Sequence, residues 1–176
     1  MRSRAHSEDG FLMVELVAAV VIITVALLAL IGAYSLGYFA INSSGQTTQA
    51  GLLANNQLEL YAAIPYASIG LDATTLASVK SSDTYYSTDE TALPGSGSDV
   101  TISSCGASAQ CLPVQTITGG DHRTYKLETF IRMIANPSVS GSSRTEKIIT
   151  VLVRNMSAGG AKVVTMQTGF DSGSPS

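Results

Sequence analysis

The segment Asp9-Gly10-Phe11-Leu12-Met13-Val14-Glu15 opens the apolar run that decides the fold of this chain. Between Phe11 and Ile31, about 21 residues, only Glu15 and Thr24 carry polar groups. An apolar run of this length is typical of a helix that crosses a bilayer. A carboxylate in a lipid-exposed helix is unfavourable, by roughly 2.5 kcal/mol or more deep in the bilayer. Glu15 therefore predicts a partner that neutralises its charge.

The composition predicts one membrane segment followed by one modest exported domain. The chain has 176 residues, of which 45% are hydrophobic, and much of that apolar content lies in the first 41 residues. Arg2 and Arg4 precede the apolar run, so the positive-inside tendency keeps the N-terminus in the cytoplasm and exports everything after Ile41. The net charge of −3 gives no general attraction for nucleic acid.

The helix is expected to continue well beyond the membrane. Residues 11 to about 63 form one helical pattern, which Pro65 ends. We divide it into a transmembrane segment, 11–41, and an amphipathic continuation, 42–65. Because the second half has one apolar face, something must cover that face outside the membrane, and we expect the chain's own C-terminal domain to do so.

The region 66–176 is expected to hold loops and then an antiparallel sheet. Residues 66–120 resemble loop sequence, with short strands at Tyr85–Ser87 and Val100–Ser103. In the first of three longer strands, Tyr125, Leu127, Ile131 and Met133 alternate with Lys126, Glu128 and Arg132, which predicts two different faces. The fold class is therefore α+β, a long N-terminal helix packed against a C-terminal antiparallel sheet. The longer strands are His122–Ile134, Glu146–Arg154 and Lys162–Phe170, with hairpin loops at 136–143 and 158–160.

Cys105 and Cys111 enclose five residues, and in an exported domain the default for such a pair is a disulfide. Closing so short a loop is worth about 2 kcal/mol by the chain-entropy model. Two unpaired thiols are the alternative. A metal site is disfavoured, because His122 alone could not complete the ligand set.

Charge is divided between two regions of the exported part. From Ile64 to Ser104 there are five acids and one lysine, and from Asp121 to Lys162 there are seven basic residues and three acids. The favoured interpretation is that two halves of a small domain attract each other. The alternative is a basic outer sheet face that touches DNA or another acidic surface, but no aromatic stripe supports base stacking, so nucleic acid is not a favoured partner. That face would consist of Lys126, Arg132, Arg154 and Lys162.

Motifs of enzymes are not found in the sequence, which has no Gly-rich phosphate loop after a strand, no HExxH and no nucleophile elbow. We therefore predict a protein that is not an enzyme and uses no cofactor.

The beginning of the chain resembles a known family. Gly10-Phe11 followed by Glu15, with a short basic leader before it and a long apolar helix after it, is similar to the class III signal of type IV prepilins. The same signal marks type II secretion pseudopilins and competence pilins. The likeness is strong over residues 1–41 and is one of architecture beyond them. The stretch from Leu53 to Tyr66 is similar to the helix end of PilV-type minor pilins and GspI-type pseudopilins.

The resemblance implies a processing site and an assembly contact. Residues 1–10 would be a leader that prepilin peptidase cuts off between Gly10 and Phe11, followed by N-methylation of the new Phe11 amine. The carboxylate of Glu15 would then pair with this amine, usually that of a neighbouring subunit, so that two charges that are each costly in lipid neutralise one another. Glu8 and Asp9 depart from the pattern, because a neutral or basic residue is commoner before the glycine.

The sequence thus predicts a structural subunit, favouring a minor pilin of a type IV pilus or related filament. Its partners would be prepilin peptidase, other pilin subunits, the assembly platform and the membrane. It would cross the cytoplasmic membrane once, before joining an extracytoplasmic filament. Within the family, a type II secretion pseudopilin or a DNA-uptake pilin is the alternative. Outside it, the alternative is a membrane-anchored extracytoplasmic binding domain that never polymerises.

Overall fold

A computed structural model describes residues 9–93, 97–103, 105, 108–135 and 145–172, with the backbone alone for 9–12 and 135. The chain divides into two compact units, Met1–Ser44 and Gly45–Ser176. Residues 1–8 of the predicted leader 1–10, including Arg2 and Arg4, lie outside the described residues, as does the predicted hairpin loop at 136–143.

Helix α1 spans Asp9–Ala62 without interruption, close to the predicted 11–63. It ends shortly before Pro65, which precedes a short 3-10 turn, Tyr66–Ser68. Within the second unit, Ala50, Ala54 and Tyr61 of α1 are completely buried and belong to the hydrophobic core. The expected fold class, a long N-terminal helix packed against a C-terminal antiparallel sheet, is confirmed.

Residues 66–120 contain more regular structure than the loop predicted from sequence. Two helices occur there, and Tyr85–Ser87, predicted as a strand, lies inside the second of them. Asp72 begins the first helix by accepting a hydrogen bond from the Thr75 amide, and Asp83 begins the second by accepting from the amides of Tyr85 and Tyr86. The elements are β1 (Leu71–Asp72), α2 (Ala73–Ser82), α3 (Thr84–Ala92), β2 (Ser98–Asp99), β3 (Thr101–Ile102) and β4 (Val114–Thr118).

Three long antiparallel strands form the centre of a five-stranded sheet, as predicted. They are β5 (Thr124–Ala135), β6 (Thr145–Asn155) and β7 (Ala161–Asp171), and their order is β5-β6-β7. Both β2 and β4 pair with the free side of β5, while β1 and β3 make a separate two-residue parallel pair. The β6–β7 connection needs glycines, because Gly159 and Gly160 have φ values of +70° and +78°.

The predicted alternation along β5 is confirmed. Odd-numbered residues such as Leu127 and Ile131 belong to the core with α1, and Thr129 lies beside Tyr61 of that helix. Even-numbered residues point to the opposite side, where Phe130 stacks on Tyr86 of α3 with ring centroids 4.4 Å apart. Each face of β5 is therefore covered by a helix.

Candidate membrane and assembly segment

The first unit consists of the apolar half of α1. From Met13 to Ile41 every described side chain is exposed, including large ones such as Ile22 at 68% and Leu28 at 64%. Among the described residues, one helix is long and apolar enough to cross a membrane, with a mean hydropathy of 3.0 over its most apolar window. The Thr24 hydroxyl donates to the Val20 carbonyl at 2.7 Å, and the Ser35 hydroxyl donates to the Ile31 carbonyl at 3.0 Å. Both hydroxyls are thereby satisfied within the helix.

The predicted processing and pairing residues lie in the first turns of this helix. The backbone of Gly10 and Phe11 is helical, and Glu15 follows Phe11 by four residues. The carboxylate of Glu15 is exposed, and no hydrogen bond or ion pair to it is found among the described residues. Cleavage after Gly10, methylation of Phe11 and the Phe11–Glu15 pairing stay predictions, since each requires another molecule.

The predicted disulfide joins Cys105 and Cys111, whose Cα atoms are 6.1 Å apart. Its loop connects to two elements of the domain through one carbonyl group. Gln57 Nε2 of α1 donates to the Ala109 carbonyl at 3.0 Å, and Gln115 Nε2 of β4 donates to the same oxygen at 2.7 Å. The two glutamines also bond to one another at 3.1 Å. The cysteines were predicted from sequence, whereas nothing in the sequence pairs Gln57 with Gln115.

A cleft of about 460 Å³ lies between the end of α1 and the disulfide loop. Ile64 and Pro65 form part of one wall, and Ile102 and Cys111 form part of the other. The described residues that line it include no charged side chain. Among the residues that the structure describes, no group of three or more His, Cys, Asp and Glu side chains could hold a metal ion.

Of the four basic residues in the alternative outer sheet face, Lys126 and Arg154 are buried and Arg132 is half-buried, whereas Lys162 is exposed, so the four do not form one exposed basic surface. Lys126 and Arg154 are only 7% and 6% exposed. Lys126 pairs with Asp83 at the start of α3, and Arg154 pairs with Asp89 within it. Lys162 Nζ lies 2.5 Å from Asp89 Oδ1, and Arg132 donates to the carbonyls of Glu90 and Leu93. The attraction between the acidic and basic regions is therefore realised as ion pairs within the domain.

Glu128 lies at the centre of this charge cluster, which consists of Asp83, Asp89, Lys126, Glu128, Arg154 and Lys162. It is fully buried, with Lys126 Nζ 2.8 Å from one carboxylate oxygen and Arg154 Nε 3.1 Å from the other. Burial raises the pKa of Glu128, and the two cations oppose that rise. Burial also works to raise the pKa of Asp83, but the hydrogen bond and charge of Lys126, together with hydrogen bonds from the Tyr86 and Tyr85 amides, outweigh burial and lower that pKa.

Asp89 is 2% exposed, and its pKa is governed by the same opposition between burial and neighbouring cations as that of Asp83. Burial works to raise its pKa, while hydrogen bonds from Lys162 and Arg154 outweigh burial and lower it. Sequence reasoning missed the roles of Asp83 and Asp89, because both fell in the predicted loop. For Asp83, the signal in the sequence is an aspartate at a helix start, because its carboxylate accepts hydrogen bonds from the amides of the following turn.

A buried lysine on β6 was not predicted either. Lys147 is 5% exposed and donates to the carbonyls of Tyr66 and Ile69 at 2.7 and 2.8 Å. Its ammonium group also lies 4.5 Å from the centre of the Tyr66 ring. Burial lowers the pKa of Lys147. This residue therefore holds the chain that leaves α1 against the sheet.

Comparison of the chain with known protein families, with characterised proteins and with solved structures finds no match in any of the three.

Proposed function

We propose that this chain is a structural subunit of a type IV pilus or a related filament, held in the cytoplasmic membrane before assembly. The observation that carries the proposal is the uncovered apolar half of α1, in which Glu15 is exposed without a partner among the described residues. An apolar helix surface of this size must be covered, first by lipid and later by other copies. A plain anchor needs no acid at this position, whereas an assembling helix can use one to fix its register.

Assembly, on this proposal, follows from cleavage between Gly10 and Phe11. The new amine of Phe11 is a cation at the start of an apolar helix, and Glu15 is an anion one turn further along. When helices of several copies pack together and exclude water, each charge becomes costly unless it meets its opposite. The exported domain contributes a body with its own core, in which helices cover both faces of β5. The likeness of Leu53–Tyr66 to minor pilins favours a minor subunit.

The processing step is tested by the intact mass of the protein from cells with and without their prepilin peptidase. We expect a mature chain that begins at methylated Phe11 in the first case and at Met1 in the second. A chain that retains Met1 in the presence of the peptidase would refute the pilin proposal and favour a non-polymerising anchored domain.

The assembly step is tested by Glu15→Leu. We expect normal cleavage and normal membrane insertion, but a large loss of the protein from sheared filaments. Glu59→Leu is the matched control, since it replaces another exposed glutamate of the same helix outside the apolar half. Equal incorporation of both variants would contradict the pairing role of Glu15.

A further inference from the structure

Three aromatic side chains lie close together along α1 near the end of its apolar half. Tyr34, Tyr38 and Phe39 are 74%, 70% and 67% exposed, and the rings of Tyr38 and Phe39 meet edge to face with centroids 6.3 Å apart. Tyr34 and Tyr38 are one turn apart and share a side of the helix. We call these three residues the aromatic collar.

The chemistry of the collar differs from that of the helix on either side of it. Between Glu15 and Tyr34 all side chains except that of Thr24 are apolar, and the hydroxyls of Thr24 and, within the collar, Ser35 donate to carbonyls of their own helix. After the collar, the chain becomes polar at Asn42-Ser43-Ser44. A tyrosine has an apolar ring and a polar tip, which suits a position where hydrocarbon meets water, and such rings are enriched at both membrane interfaces.

We infer that the aromatic collar lies in the interfacial region of the bilayer, where its partner is the glycerol-ester and headgroup layer of the phospholipids. This inference rests on the membrane insertion included in the proposed function, but not on cleavage or filament assembly. The collar, rather than the end of the apolar pattern at Ile41, then sets the outer boundary of the span.

Helix length places Glu15 at the opposite boundary. From Glu15 to Tyr34 the helix rises about 28 Å, and from Glu15 to Tyr38 about 34 Å, at 1.5 Å per residue. The hydrocarbon core of a bilayer is about 30 Å thick. With the collar in one interface, the Glu15 carboxylate therefore reaches the other interface and can be solvated there.

This placement changes what Glu15 requires. While the helix is in lipid, the carboxylate at the boundary contacts water and headgroups and needs no protein partner. The demand for a counter-charge arises only when the helix leaves the bilayer and its first turns become enclosed by protein. The collar would thus let one chain be stable alone in the membrane and still require a partner in an assembly.

The chain has no tryptophan, so single-tryptophan variants report on one depth each. Tyr38→Trp and Leu27→Trp of the full-length chain are reconstituted in phosphatidylcholine vesicles whose acyl chains are brominated either near the glycerol or near the methyl end. We expect Tyr38→Trp to lose more fluorescence with bromine near the glycerol. Leu27→Trp, near the middle of the proposed span, should lose more with bromine near the methyl end.

Each departure from this pattern has a distinct meaning. The inference is wrong if Leu27→Trp is quenched most strongly by bromine near the methyl end and Tyr38→Trp is quenched by neither lipid. It is also wrong if both variants are quenched most strongly by bromine near the methyl end, because the collar then does not lie at the interface. If neither variant is quenched, the helix does not insert, and the membrane part of the proposed function fails as well. Because the vesicles contain no peptidase and no filament, failure of assembly alone leaves the expected quenching unchanged.

Discussion

At the scale of single residues, Glu128 shows how burial and charge oppose one another. Its carboxylate is fully buried between Lys126 and Arg154. Replacing one member of a buried ion pair leaves its partners without a counter-charge and costs about 3 kcal/mol. We therefore expect Arg154→Met, which leaves the buried Glu128 and Asp89 without this cation, to lower the free energy of unfolding by about that amount, as measured by urea denaturation of the detergent-solubilised chain.

Glu59→Gln provides the control for this measurement. Glu59 is exposed on α1, where Asn55 donates a hydrogen bond to it at 2.6 Å, and exposed substitutions of this kind change stability by no more than about 0.5 kcal/mol. If Arg154→Met cost no more than this control, the buried ion pairs of Arg154 would contribute nothing to stability.

Some of these residues could be predicted from the sequence and others could not. Glu15 stands out because it is the one acid in a long apolar run, and the two cysteines because an exported domain favours their pairing. The burial of Glu128 was not predicted. The alternation along β5 correctly placed Glu128 on the face of the sheet opposite α1. Whether that face is exposed to solvent or buried depends on α2 and α3.

At the scale of elements, α2 and α3 were missed for a physical reason. Their sequences are rich in Ser, Thr and Asp, which compete with the helical backbone for hydrogen bonds and lower helix propensity. The apolar positions are too few to make a helical stripe, since Leu76 is the one buried residue of α2 and Tyr86 the buried aromatic of α3. Tertiary contacts decide here, through the Tyr86–Phe130 stack and the charge cluster.

The contact of α3 with the sheet should weaken in acid. The pKa values of Asp83 and Asp89 are lowered in the folded chain, so their stabilising contribution is complete above the ordinary carboxyl value of about 3.9 and is lost as pH falls through the folded values. Glu128 acts in the opposite sense, because a raised pKa favours the folded state at lower pH. At pH values below about 4, where the two aspartates protonate, we expect unfolding at a lower urea concentration.

Asp89→Asn distinguishes this cause from general acid denaturation. The variant should be less stable at neutral pH, because Arg154 and Lys162 lose a buried partner, and its midpoint should change less with pH below about pH 4. Glu59→Gln should keep the wild-type dependence. If the urea midpoint of Asp89→Asn changed with pH as steeply as that of the wild type below about pH 4, Asp89 would not be the source of the acid sensitivity.

The disulfide loop acts on two elements at once, because both Gln57 of α1 and Gln115 of β4 donate to its Ala109 carbonyl. Replacing both cysteines by serine should cost about 2 kcal/mol of stability from lost loop closure alone. Reducing the wild-type protein with a dithiol should produce the same loss in urea denaturation. A loss in the serine variant without a loss on reduction would trace the effect to the substitutions rather than to the bond.

At the scale of the whole molecule, the chain combines a unit that cannot be stable in water with one that has its own core. Every described side chain from 13 to 41 is exposed, whereas the core residues all follow Gly45. The sequence pattern along α1 changes from apolar to amphipathic, which is the basis of the predicted segments 11–41 and 42–65. It did not predict that charges of the second unit are paired within it, where several of the described ion pairs join α3 and its N-terminal Asp83 to the sheet.

The division leads to a prediction about truncation. Removing residues 1–44 takes away the apolar half of α1 and no member of the core, so we expect a soluble, folded monomer with a cooperative thermal transition by circular dichroism. Removing residues 1–55 also deletes Ala50 and Ala54, which are completely buried, and opens the α1 face of the sheet. Because that face would lose much of its cover, the shorter chain should unfold at a much lower temperature or aggregate. Equal melting temperatures of the two truncated chains would show that α1 contributes nothing to the core before Asn56. Aggregation of the chain that lacks only residues 1–44 would show that the second unit needs the first to fold.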